Sequence, residues 1–174
     1  FSEDYALQTN ILSGTLSIAA CVATMFLVDK IGRKPLLLFG SAGMAVTLAI
    51  VAYAFSTAIT GPDGGVILPG NNGILALISA NLYVIFFNLS WGPIMWVMLG
   101  EMFPNQIRGS GLAVAGLAQW LANALVSVSF PSLVISPGLA VAYFGYAFFA
   151  AVSFFFVRVM VRETKGRELE QMEG

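Results

Sequence analysis

Five long stretches of this chain are almost free of charge, and short polar gaps separate each stretch from the next. A helix that crosses a bilayer needs about 20 mainly apolar residues, because each residue adds about 1.5 Å of length. The predicted spans cover about residues 7–28, 36–58, 74–99, 110–130 and 139–161. Only 10% of the residues are charged, against about 25% in soluble domains. These features predict an all-α membrane protein with five transmembrane helices.

The positive charges lie in alternate gaps between these spans. Lysine and arginine occur in residues 30–34, at Arg108 and from Arg158 onward, whereas the gaps around Pro62 and Pro137 have none. Cytoplasmic loops retain Lys and Arg, while translocated loops lose them. The predicted topology therefore places the N-terminus outside, the C-terminus in the cytoplasm and the basic gaps inside.

The composition excludes several kinds of site. A net charge of −1 gives no reason to expect a nucleic-acid partner, and the absence of His excludes a His-dependent metal or acid–base site, so we expect neither a metal nor a cofactor. Cys21 is the only cysteine, and we expect it to be a small buried packing residue. The chain begins with Phe1 and has no basic leader, so we expect a piece of a longer protein.

The gaps without basic residues differ in composition. Residues 60–73 are rich in Gly, Pro and Asn, which predicts an extracellular loop. Residues 130–138 include Pro131 and Pro137 and predict a short outer turn. At the other end of the chain, residues 162–174 alternate in charge and are expected to form a cytoplasmic tail, either a solvated helix or a loose end.

Amide and indole side chains interrupt the third and fourth spans. Asn88, Gly92 and Trp96 are spaced four apart and share one helix face, while Pro93 removes a backbone hydrogen bond and favours a flexible point that suits a gate. The amides either line one cavity or join neighbouring helices, at about 0.6–2 kcal/mol each, and Trp also marks membrane interfaces. Both alternatives remain open. The side chains are Asn81, Asn88, Trp91 and Trp96 in the third span, and Gln119, Trp120 and Asn123 in the fourth.

Two further groups are expected to pack against helices or lipid. Small residues allow close helix contacts in membranes. In the fourth span they are Gly109, Gly111, Ala113, Ala115 and Gly116. The aromatic residues expected to face lipid in the fifth span are Phe148, Phe149, Phe154, Phe155 and Phe156.

The inner links combine both signs of charge. Gly32 can end a helix in the left-handed conformation and so permit a very short reversal. Pro104 is expected to interrupt the helix between Glu101 and Arg108, so these two are not expected to meet along one helix face, and the alternative is that they pair with residues 29–34. The charges either form a gate or only set the topology. The charged residues concerned are Asp29, Arg33, Lys34, Glu101 and Arg108.

Three motifs occur in a fixed order along the chain. D-x-x-G-R-K begins at Asp29, G-P-x-x-W-x-x-x-x-E-x-F-P-x-x-x-R runs from Gly92 to Arg108, and E-T-K-G begins at Glu163. In this order and spacing, the chain resembles the sugar porter family of the major facilitator superfamily. A-Q-W-L-A-N from Ala118 is similar to the bacterial xylose/proton symporter branch. The resemblance implies a partial fold of that superfamily, with residues 1–174 as the C-terminal transmembrane bundle, helices 8 to 12 of twelve.

The resemblance also implies roles for individual residues. Ser17 stands where sugar-binding relatives often carry Asn, and Arg162 stands where the tail motif usually has Pro. The family's seventh helix and N-terminal half are absent, including the acidic residue that couples protons. The implied sugar-binding residues are Trp96, Gln119, Trp120, Asn123, Asn88 and Ser17; the implied inner-gate network comprises Asp29, Gly32, Arg33, Lys34, Glu101 and Arg108.

The expected function is that of a fragment of a monosaccharide transporter, a proton-coupled symporter working by alternating access. Its expected partners are a monosaccharide, protons, membrane lipid and the missing N-terminal half, and its expected location is a bacterial inner or plasma membrane. The alternative is a non-transporting scaffold or assembly subunit with a similar fold. A membrane-bound enzyme is disfavoured because the only deep acidic candidate, Glu101, lies at the membrane edge. Which sugar is carried, and whether protons are coupled, is left open.

Overall fold

A computed structural model describes residues 3–60, 66–135 and 138–163 of the chain. Over these residues the protein is almost entirely helical, and five of its helical spans are long and apolar enough to cross a membrane. This confirms the predicted all-α membrane architecture. The elements are α1 (Glu3–Ile31), α2 (Arg33–Ser56), β1 (Ile59–Thr60), β2 (Val66–Ile67), α3 (Asn72–Leu89), α4 (Trp91–Met102), α5 (Arg108–Ile135) and α6 (Leu139–Met160).

Helix α2 lies at the centre of the bundle. It packs most extensively against α6 and α3, and α1 packs mainly against α3. The largest hydrophobic cluster joins α2, α4 and α6 through Leu36, Leu37, Ile94, Met98 and Val157. Helix α5 is much less packed, because no residue in its most apolar stretch is buried. The bundle therefore has a packed side around α2 and an open side along α5.

The third span is divided, whereas the sequence predicts one helix over residues 74–99. The division lies at Ser90, whose φ of −134° and ψ of −91° end α3 and begin α4. Pro93 is the third residue of α4 and not a mid-helix kink. A proline has no N–H to donate, but the first turn of a helix needs no such donor. Helix α3 therefore ends before Pro93, and α4 begins with Pro93 in its first turn.

Other boundaries also differ from the sequence-based ones. Helix α5 continues through Pro131 to Ile135, so the predicted turn over residues 130–138 is too long. In an apolar medium a helix loses less by omitting one hydrogen bond at a proline than by exposing several backbone groups. The predicted loop over residues 60–73 contains part of a small antiparallel hairpin, in which Ile59 pairs with Ile67. Residues 164–174 of the predicted tail lie outside the described residues.

Candidate functional site

The seam between α4 and α5 carries the central candidate site. The Trp96 side chain lies over Gly116, and a Cβ atom built on Gly116 would be 3.6 Å from Cη2 of the indole. Gly111 gives similar room to the Phe103 ring, which would approach a Cβ atom there to 2.8 Å. The close-packing prediction therefore holds for these two glycines. It does not hold for Gly109, which has no atom within 4 Å of its Cβ position among those described.

Gln119 is the next polar side chain on the α5 face that carries Gly116. It follows Gly116 by three residues and so shares the helix face that meets α4. Its Oε1 atom is buried and accepts no hydrogen bond from any described group. Buried polar atoms in native proteins nearly always have a partner, so this oxygen is suited to receive a hydroxyl or amide proton from a ligand.

Trp120 and Asn123 occupy the open side of α5. The Trp120 side chain is 66% exposed, and Asn123 is also exposed. Both lie within two turns of Gly116 and can face the same space as Gln119. The structure therefore places Trp96 at the α4–α5 seam and Gln119 on the α5 face that meets α4, whereas Trp120 and Asn123 are exposed on α5.

Asn88 and Ser17 lie on a different seam, between α1 and α3. The Asn88 amide nitrogen donates to the Val84 carbonyl at 2.8 Å and lies 3.4 Å from Ser17 Oγ, while Cys21 Sγ lies 3.4 Å from Asn88 Oδ1. Asn81 makes a similar link, because Ser13 Oγ donates to Asn81 Oδ1 at 2.7 Å. Hydrogen bonds within α3 and contacts with α1 thus occupy both the Asn81 and the Asn88 amides.

The charges of the inner links meet at one end of the bundle. Arg33 donates from Nη2 to Glu101 Oε1 at 2.7 Å, and its Nη1 lies 3.4 Å from Asp29 Oδ1. Glu101 therefore pairs with the 29–34 turn, as one of the two alternatives above expects. Arg108 instead donates from Nε to the Phe103 carbonyl at 3.3 Å, and its Nη2 is buried without a described acceptor.

Glu163 closes the same end of the bundle. Its two carboxylate oxygens accept the backbone N–H groups of Arg33 at 3.0 Å and Lys34 at 2.9 Å. These N–H groups open α2, where the helix dipole favours a negative charge. Gly32 has a φ of +103°, and a Cβ atom there would lie 2.8 Å from the Glu163 carboxylate. Both the turn and the carboxylate therefore require a glycine at this position.

One polar network was not predicted from the sequence. The Trp91 indole N–H donates to Ser41 Oγ at 2.8 Å, and Ser153 Oγ lies 3.1 Å from the same oxygen. These residues join α4, α2 and α6, and Ser41 is fully buried. Ser41 is 50 positions from Trp91 and 112 positions from Ser153, so no local sequence pattern predicts the network. Its one sequence signal is an indole and a serine within apolar spans, each of which needs a hydrogen-bond partner.

Comparison with known families gives a match over the whole chain. Residues 1–174 match the family model described as "Sugar (and other) transporter". The chain is 49% identical over 172 residues to a glucose transport protein of Synechocystis sp., covering 99% of this chain and 36% of that protein. It is 39% identical over 179 residues to the D-xylose-proton symporter of Escherichia coli K12, covering 99% of this chain and 34% of that protein.

Solved structures give the same family. The proton:xylose symporter XylE bound to 6-bromo-6-deoxy-D-glucose matches 99% of this chain and 35% of its own, with 39% identity and a TM-score of 0.84. The inward-open XylE of E. coli matches 95% of this chain and 34% of its own, with 39% identity and a TM-score of 0.80. The chain thus spans about a third of the length of these relatives. By sequence and by structure, it belongs to the sugar transporter family of the major facilitator superfamily.

Proposed function

We propose that this chain is the C-terminal transmembrane bundle of a bacterial monosaccharide transporter, and that the whole protein is a proton-coupled symporter working by alternating access. The substrate would cross the membrane chemically unchanged, so the protein would not be an enzyme. The observation that carries the proposal is the α4–α5 seam, where the Trp96 indole lies over Gly116 and where, one helical turn along α5, the Gln119 Oε1 is buried with no donor among the described groups. The names of relatives that transport glucose or D-xylose support the substrate class.

The chemistry of the seam suits a sugar. A pyranose has apolar C–H faces that can lie against an indole and hydroxyl groups that need donors and acceptors. Gln119 and Asn123 offer both through their amides, and Trp96 and Trp120 offer ring faces. The exposed side chains on α5 would be covered by the other half of the transporter, so that the sugar is held between two halves. Asn88 and Ser17 would lie at the edge of this site.

The inner charge cluster would act as the cytoplasmic gate. Asp29, Arg33 and Glu101 form a bonded set, and Gly32 and Lys34 position the turn that carries it. The buried Nη2 of Arg108 has no described acceptor and would donate to an acidic side chain of the other half. Ion pairs that form in only one orientation of two halves give a two-state gate. The proton-coupling acid would lie outside this chain, since no Asp or Glu occupies the middle of its described spans.

Sugar binding and uptake by the full-length transporter test the site. Trp96→Ala and Gln119→Ala should each weaken sugar affinity by about tenfold or more, because each removes a contact worth about 1–3 kcal/mol. Phe149→Ala is the matched control, since this aromatic side chain is 68% exposed on α6. Unchanged affinity in both site variants would refute the assignment.

A thermal-shift panel separates transport from a scaffold role. A sugar present at 100 times its Kd should stabilise the full-length protein by about 2.7 kcal/mol. A scaffold with no sugar site would show no stabilisation by any monosaccharide in the panel.

A further inference from the structure

The division between α3 and α4 leaves backbone carbonyls that lack their usual helical donors. The Ser90 N–H donates to the Phe87 carbonyl at 3.2 Å, whereas in a continuous α-helix it would donate to the Phe86 carbonyl. The Phe86 carbonyl is then satisfied by the Ser90 hydroxyl at 2.6 Å. Ser90 is fully buried, so water cannot supply this bond. The Ser90 hydroxyl thus replaces the missing N–H donor at the break.

Helix α1 supplies a second hydroxyl to the break. Thr24 is 2% exposed, and its Oγ1 lies 3.0 Å from the Asn88 carbonyl and 2.9 Å from the Ala20 carbonyl of its own helix. A hydroxyl has one proton, so Thr24 serves both acceptors in turn. It can release Asn88 and remain satisfied by Ala20. The Thr24 hydroxyl therefore stabilises the break but still allows the angle between α3 and α4 to change.

Helix α2 holds the break from the opposite side. Gly40 packs against Ser90, where a Cβ atom would overlap the Ser90 side chain. One residue later, Ser41 Oγ accepts the Trp91 indole N–H at 2.8 Å and lies 3.1 Å from Ser153 Oγ. The first residue of α4 is thus fixed to α2 and, through Ser153, to α6.

This attachment controls the direction of the rest of α4. The helix has 12 residues and carries Trp91 and Trp96 on the same rigid rod. Fixing the Trp91 indole fixes the rotation and tilt of that rod, and therefore the place where the Trp96 ring meets Gly116. Neither Thr24 nor Ser41 lies on the seam with Trp96, so they would act on it only through the break.

We propose that Thr24 and Ser41 are positioning residues that clamp the α3–α4 break from two sides and so set the angle of α4 and the position of Trp96. The structural clamp stands on the contacts above, whereas its consequence for sugar affinity rests on the proposed function. Loss of either hydroxyl frees the angle between α3 and α4, and the sugar site becomes less well formed.

Distances within the full-length transporter test the clamp directly. Spin labels on Ile74→Cys and Met102→Cys, both on exposed positions at opposite ends of the divided span, report the angle by pulsed electron paramagnetic resonance. The background carries Cys21→Ser, which keeps a donor near Asn88 Oδ1. Thr24→Val and Ser41→Ala should each broaden or shift the distance distribution, and Thr24→Ser should restore it.

Thr47→Val is the matched control. Thr47 is also buried in the bundle, but within the described part of the chain its hydroxyl bonds only to the Gly43 and Met44 carbonyls of its own helix, so its loss should leave the distances unchanged. In binding assays, Thr24→Val and Ser41→Ala should weaken sugar affinity by about tenfold. Unchanged distances in both variants would overturn the clamp. If the distances shift but the parent protein binds no sugar, the result supports the clamp and refutes the proposed function.

Discussion

Small side chains determine how closely α2 approaches the divided span. Gly40 meets Ser90, and Gly43 meets the ring of Phe86, so that a Cβ atom at either glycine would overlap its neighbour. Because the Ser90 hydroxyl is also bonded to the Phe86 carbonyl, it cannot move aside without losing that bond. Close packing and polar satisfaction thus depend on each other at this point of the bundle.

Gly40→Ala is expected to destabilise the protein despite the higher helix propensity of alanine. The added methyl group forces the Ser90 side chain to shift, which should cost about 1–3 kcal/mol. Thermal unfolding of the full-length protein in detergent measures the loss. Gly14→Ala is the control, because a Cβ atom at Gly14 meets nothing within 4 Å among the described atoms, and this change should be neutral or slightly stabilising. Equal melting temperatures for Gly40→Ala and the parent would contradict the expectation.

Sequence reasoning located polar residues in the spans but could not assign their partners. It predicted that the third and fourth spans offer Trp96 and Gln119 to one cavity, because a period of 3.6 residues determines which side chains share a helix face. It could not predict that Asn88 contacts Ser17 and Cys21 of α1, or that Ser41 accepts from Trp91. Those pairings join helices far apart in the chain, and local spacing contains no information about them.

Among the helices, α2 depends on a residue from outside its own segment. The Gly32 turn supplies no side chain, so Glu163 caps the first N–H groups of α2 across a separation of about 130 residues. The Lys34 ammonium donates to the Arg158 carbonyl at 3.0 Å and fastens the same helix to the end of α6. The first turn of α2 and the last turn of α6 therefore form one unit.

Glu163→Ala should loosen this unit and lower stability. Loss of a capping acceptor typically costs about 0.5–2 kcal/mol. The thermal midpoint of the full-length protein gives the measurement. Glu163→Gln retains a carbonyl acceptor but loses the charge, so it should lower the thermal midpoint by less than Glu163→Ala does. If Glu163→Ala and the parent unfold at the same temperature, the cap contributes nothing.

The sequence predicted where the membrane spans lie better than how each begins and ends. Long apolar stretches identify a span by length alone, which is why α1, α2 and α6 were found close to their true limits. Pro131 was expected in an outer turn and Pro93 at a flexible point within one helix, yet α5 passes through Pro131 and α4 begins just before Pro93. The effect of a proline depends on which hydroxyl and carbonyl groups lie nearby, and that is a tertiary property.

For the bundle as a whole, the basic gaps meet at a single end. The ion pair between Arg33 and Glu101 joins the 29–34 link to the inner end of α4, and Glu163 brings the residues after α6 to the same place. The β1–β2 hairpin follows the opposite end of α2. This arrangement agrees with the occurrence of Lys and Arg in alternate gaps between the spans, and it predicts a membrane topology that can be measured.

Cysteine labelling in whole cells measures the topology. In a Cys21→Ser background, Ile67→Cys on the hairpin should react with a membrane-impermeant maleimide from outside. Ile107→Cys, which is exposed in the inner link, should react only after the membrane is permeabilised. The Cys21→Ser protein without further cysteines is the control. Labelling of Ile107→Cys in intact cells would reverse the topology.

The proposed gate makes a separate prediction. Arg108→Ala should shift the full-length transporter toward inward-facing states, because the cytoplasmic halves lose a charge that holds them together. Accessibility of introduced cysteines from the cytoplasmic side measures this shift. Arg158→Ala is the control, since this exposed cation contributes only its backbone carbonyl to the bonds described above. Equal accessibility in both variants would argue against a gating role for Arg108.

The long reach of the Glu163 carboxylate also bears on how the protein is made. While the ribosome is still synthesising the later helices, the first N–H groups of α2 have no carboxylate to accept them. Nascent chains that stop short of residue 163 should therefore leave the translocon with this turn unfinished and be recognised by membrane quality-control proteases.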